Sequence, residues 1–213
     1  MAITRITTPS ITDDAVDNTK LDLASNYAFT GTVTGTPSDI VKLASTTVSS
    51  SVASVSLDGY FSSDYSHYKL CWTRLTPVGG DTLRVRVRQS NADMTGSIYR
   101  NCIFSYYTDG NGSHTTYSSG YWNVDKGGIS YGDSVTNDSA EGGSNGYLYL
   151  YGALDSGDKF YVSNEVHTRN DQYTIENPMH GCFINTTGTL SGITLLFNSN
   201  NIASGTMTLY GIK

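Results

Sequence analysis

The stretch Leu83-Arg84-Val85-Arg86-Val87-Arg88 alternates an aliphatic side chain with an arginine over six residues. Successive side chains of a strand point to opposite faces, so this alternation buries one face and solvates the other. A helix would spread the same arginines around its whole circumference. Outward from this strand, comparable runs recur at Val52–Leu57, His67–Leu75, Tyr99–Tyr106, Tyr147–Tyr151, Lys159–Ser163, Gly181–Thr186, Ile193–Phe197 and Thr206–Ile212. Turn clusters such as Gly79-Gly80-Asp81 and Asn198–Asn201 punctuate them. Most connections are too short for crossover helices. The expectation is therefore an all-β fold, an antiparallel β-sandwich of jelly-roll type.

Composition agrees. The 213 residues include 27 Ser, 27 Thr, 22 Gly and 15 Asn, and only 15% are charged. Those side chains compete for the backbone or leave it too free, which weakens helix interiors and suits turns and strands. The net charge of −6 argues against a nucleic-acid partner. No run of eighteen apolar residues is present, so membrane insertion is not expected. The opening MAITRITTPS lacks the apolar centre of a secretory signal, which points to assembly in a cytoplasm. Three scattered cysteines, Cys71, Cys102 and Cys182, read as buried thiols in apolar runs rather than a disulfide framework.

The chain changes character near residue 60. Of 24 aromatic residues, Tyr27 and Phe29 alone precede that point. Such a segment has little with which to offset its chain entropy. Ile3, Ile6, Ile11, Val16 and Leu21 are spread thinly through Thr, Ser and Asp, as in an arm that orders by lying against another surface. Residues 1–50 thus read as an extended arm and linker, and residues 51–213 as the β-sandwich.

Catalytic signatures fail on context. Gly142-Gly143-Ser144-Asn145-Gly146 has the letters of a nucleophile elbow, but a loop precedes it and a tyrosine-rich strand follows. Asp109-Gly110-Asn111-Gly112-Ser113 begins like a calcium loop, yet His114 stands where glycine is required and Gly120 where an acid is required. His180 and Cys182 share a strand face without partners to complete a metal set. Glu141, Glu165 and Glu176 show no paired-acid spacing. No enzyme activity, cofactor or metal is expected. Arg84, Arg86 and Arg88 read as partners for aspartates.

Residues Thr108–Asn145 read as one long loop, a length usually reserved for function. Tyr117, Tyr121 and Trp122 interleave there with Asp109, Asn123 and Asp125. Aromatic faces stack on sugar rings while amides and carboxylates take up hydroxyls, so these six residues are the candidate glycan site.

Two segments carry a resemblance. Residues 3–36, ITRITTPSITDDAVDNTKLDLASNYAFTGTVTGT, and residues 191–213, SGITLLFNSNNIASGTMTLYGIK, resemble the arm and the ending of small fibre proteins of tailed bacteriophages, those of marine hosts in particular. That resemblance implies a homotrimeric virion protein with a distal knob. It implies docking of the arm, through Ile3, Ile6, Ile11, Val16 and Leu21, to other virion proteins, and adsorption to a host-surface glycan. Without a repetitive shaft, a head fibre or capsid decoration protein with no receptor is the alternative.

Overall fold

A computed structural model describes residues 38–108, 114–121, 128–168 and 175–213, and within these the backbone alone at residues 107, 114–115, 117–121, 132–133 and 182. The compact unit is Ser38–Lys213. Its thirteen described strands are β1 (Ile40–Val48), β2 (Ser54–Asp58), β3 (His67–Pro77), β4 (Asp81–Gln89), β5 (Ala92–Asp93), β6 (Asn101–Thr108) and β7 (His114–Tyr121), then β8 (Ile129–Val135), β9 (Ser144–Tyr151), β10 (Lys159–Thr168), β11 (Ile175–Ile184), β12 (Gly192–Phe197) and β13 (Ile202–Ile212). They form an eight-stranded sheet in the order β1-β13-β3-β9-β10-β11-β6-β7 and a smaller one in the order β2-β12-β4-β5. In the smaller sheet β8 also pairs with β4. Every paired ladder is antiparallel.

The core lies between the two sheets. Tyr68, Leu70, Trp72 and Leu75 of β3, Leu148 and Leu150 of β9, and Met207 and Leu209 of β13 meet Leu83, Val85 and Val87 of β4 and Ile193, Leu195 and Phe197 of β12. The β4 alternation is thus realised with its aliphatic residues buried. Arg86 and Arg88 pair with aspartates as expected on the outer face. Arg88 meets Asp58 at 2.9 Å and Asp93 at 2.5 Å, and Arg86 meets Asp93 at 3.7 Å. Trp72 and Leu75 both point inward although three residues apart, because a bulge in β3 resets the parity between them. At the far end Asp81, a buried residue, accepts the backbone N–H groups of Ser199 (2.6 Å) and Asn200 (2.7 Å), tying the β12–β13 turn to β4.

Three expectations need correction. Residues 40–48 belong to the sandwich, where β1 pairs with β13 from Ile40↔Ile212 to Val48↔Gly205. The boundary therefore falls at residue 38 rather than 50. Its Ser/Thr-rich sequence looked like a linker because an edge strand buries little. Residues 108–145 are likewise not one long loop. They contain β7, paired with β6, and β8, paired with β4, followed by a short 3-10 turn at Ser139–Glu141. Thr, Ser and Tyr supply strand propensity there without a strong apolar alternation. Finally, Cys102 is exposed and Cys71 half-buried, since both point to the outer side of the large sheet.

Candidate functional site

The large sheet reverses its polarity along its width. On the outer side of its β1–β13 edge lie small hydroxyls, with Ser45 bonded to Thr208 at 2.9 Å and Thr47 to Thr206 at 3.0 Å. From β9 onward the same side becomes apolar. Tyr147 and Tyr151 of β9, Phe160, Val162 and Val166 of β10, Ile175 and Met179 of β11, and Phe104 and Tyr106 of β6 are each 39–58% exposed. The ladder places them in contiguous tiers: Tyr151 beside Phe160 beside Phe183, Tyr149 beside Val162, and Asn164 beside Met179 beside Phe104. Asn164 and Asn177, two polar side chains within this patch, bond to each other at 3.1 Å. At its β3 margin Lys69 Nζ sits over the rings of Tyr147 and Tyr149, 5.4 and 5.2 Å from their centroids, and His67 stacks on Tyr151 at 5.0 Å.

Beneath that face the interior is polar. Lys159, Ser163, Glu165 and His167 of β10, Glu176 and His180 of β11, Ser105 of β6 and Ser144 of β9 are all buried. A transverse chain of polar contacts links these strands. Trp72 Nε1 donates to Ser144 Oγ at 2.8 Å, and Ser144 Oγ donates in turn to Glu165 Oε1. His167 then lies between two carboxylates, its Nδ1 at 3.3 Å from Glu165 Oε1 and its Nε2 at 3.6 Å from Glu176 Oε2. Ser105 Oγ closes the chain by donating to Glu176 Oε1 at 2.5 Å. Five strands, β3, β9, β10, β11 and β6, are crossed by this one line. Beside it, the His180 ring packs on Tyr131 at 4.6 Å, and burial pushes its pKa down to about 3, so it stays neutral. Burial raises the Tyr131 hydroxyl above its ordinary value.

The chemistry of this chain is that of a strut. Ser144, the serine of the elbow-like motif, donates to a glutamate and not to a histidine, and it is covered by Trp72. The two carboxylates face opposite nitrogens of one ring, so they do not converge on a common point. Among the described residues no three His, Cys, Asp or Glu side chains form a metal-holding group. Sequence reasoning passed over Glu165 and Glu176 because their spacing suggested nothing. The readable signal was the strand Lys159–Thr168, in which Lys, Tyr, Ser, Glu and His alternate with Phe, Val, Asn and Val.

The expected glycan residues are only partly located. Tyr117 and Tyr121 lie on β7, opposite Ser105 and Asn101 of β6. Asp109, Trp122, Asn123 and Asp125 lie outside the described residues, as do Ile3, Ile6, Ile11, Val16 and Leu21 of the arm. No helix among the described residues is long and apolar enough to cross a membrane. Comparison with protein-family models, curated proteins and solved structures gives no match to this chain.

Proposed function

We propose that this chain is a virion structural protein of a tailed bacteriophage, a homotrimeric fibre-tip knob that docks through its N-terminal arm and adsorbs to the host surface. The observation that carries this reading is the order of winding. The set β1-β13-β3-β9 opposes β2-β12-β4-β8, and the chain passes between the two sets as in a jelly roll. That architecture serves viral capsid and lectin domains alike. It is an analogy of fold, because one fold hosts many functions, and the Ile-Thr arm and LYGI ending supply the rest of the argument. The protein works by surface contact and not by catalysis. Tyr117, Tyr121 and Trp122, with Asp109, Asn123 and Asp125, make the glycan contact, and the finished protein resides in the virion after assembly in the host cytoplasm.

Immunogold labelling of purified particles with antibody against Ser38–Lys213 tests this. Label at distal tips is the expected result. Label spread over the capsid shell would favour the decoration alternative, and unlabelled particles would overturn both.

A further inference from the structure

From the reversed polarity we infer that the outer face of β9, β10, β11 and β6 is buried against further copies of this chain, and that this half of the sheet is completed only on association. The inference rests on the oligomer proposed above and adds which face builds it. Hydrophobic burial is the main favourable term in folding. In β10 and β11 the apolar residues Phe160, Val162, Val166, Ile175 and Met179 are on the outside, while Glu165, His167, Glu176 and His180 are within. Buried polar contacts add little net stability, because desolvation offsets their attraction. Apart from Tyr161 and Ile184, which are buried, the apolar side chains named on these strands lie on the outside of the monomer.

A copy of the same chain fits this face. Nine side chains of this size, each about half exposed, present on the order of 800 Å², the area one partner contributes to a standard interface. An isologous or cyclic contact brings like surfaces near one another, so a charged face would repel itself. The tiers of β10, β11 and β6 in this patch carry Phe, Val, Met, Ile, Tyr and Asn, and the two amides satisfy each other. Among the described outward side chains of β10, β11 and β6 none is charged, and Lys69 stands at the β3 margin of the patch.

The test uses the full chain at micromolar concentration, with sedimentation velocity and amide hydrogen exchange as readouts. Wild type is expected to sediment as an oligomer. Val162→Lys/Met179→Lys is expected to sediment as a monomer with exchange in β10, β11 and β6 raised at least tenfold, while β4, β12 and β13 remain protected. Thr47→Lys, on the hydroxyl-rich edge of the same sheet, should leave the oligomer intact. Should the double variant fail to fold, dilution of wild type into its monomeric range must raise exchange in β10, β11 and β6 selectively. An oligomer insensitive to the double substitution overturns the assignment of the face while leaving the trimer standing. A wild-type monomer with β10 and β11 as protected as β12 overturns both, and a patch protected by a glycan or another virion protein instead overturns the choice of partner.

Discussion

Trp72 and Gly146 fill one volume between β3 and β9. A Cβ on residue 146 would stand 2.5 Å from Asn164 O and 2.6 Å from the Trp72 ring, closer than atoms tolerate. Because one obstacle is backbone, the cost cannot be relieved by a side-chain rotation alone. Gly146→Ala is expected to destabilise by about 1–3 kcal/mol, read from urea denaturation, with a shift in Trp fluorescence as the ring is displaced. His180 sets a pH dependence of definite sign. Its pKa is about 3 when folded against the ordinary 6.5, so between those values the unfolded chain holds more protons. Its contribution to stability is complete above about pH 6.5 and is lost as pH falls toward 3, with a slope of at most about 1.4 kcal/mol per pH unit. His180→Gln should flatten the stability–pH curve in that window, checked by urea midpoints at pH 7 and pH 4.

At the scale of the element, the transverse polar chain fixes how β9, β10, β11 and β6 align where apolar packing does not. A strand slipped by one residue would present Phe160 and Val162 inward and Glu165 and His167 outward. Glu165→Gln keeps the shape but replaces one carboxylate oxygen in the Ser144–Glu165–His167 contacts with an amide. The expected loss is about 1–3 kcal/mol, seen as a lowered denaturation midpoint. Legibility divides along the same line. The β4 alternation and the apolar runs of β3, β12 and β13 were readable because period and burial agree there. In β10 the period of two was equally visible, but a period shows that a strand has two faces and not which one is inside. The phase is set by neighbours in the sheet, and for Phe160 and Glu165 it is opposite to what hydrophobicity suggests. Strands β1, β7 and β8 escaped notice because Ser, Thr and Gly carry little apolar signal, while the arm was read from its scarcity of aromatics and the glycan residues from aromatics interleaved with Asp and Asn. On the proposed glycan contact, Tyr121→Ala/Trp122→Ala should weaken adsorption to host glycan, measured by cell pull-down, with little change in melting temperature. A lost oligomer instead would mark those rings as packing residues.

For the whole molecule, Ser38–Lys213 is a compact unit with its own hydrophobic core. A chain lacking residues 1–37 is therefore expected to fold, with a thermal midpoint within a few degrees of the full chain, yet to be missing from particles. Calorimetry and immunoblotting of purified virions check the two halves of that statement, and failure of the truncated chain to fold would show that the arm shares in the core. A cut at residue 50 is a different experiment, because it removes β1 and exposes the edge of β13.

The pairing of β1 with β13 also decides how the domain bears load. Lys213 N donates to Asp39 O at 3.0 Å, so the strand that enters the unit and the strand that ends it lie side by side, running opposite ways. Tension applied between residues 38 and 213 peels this ladder one rung at a time. Tension on residue 38 drawn along the axis of β1, with the body held by its outer face, loads every rung together. Attachment through residue 38 is thus stronger in shear along β1 than in peeling from residue 213.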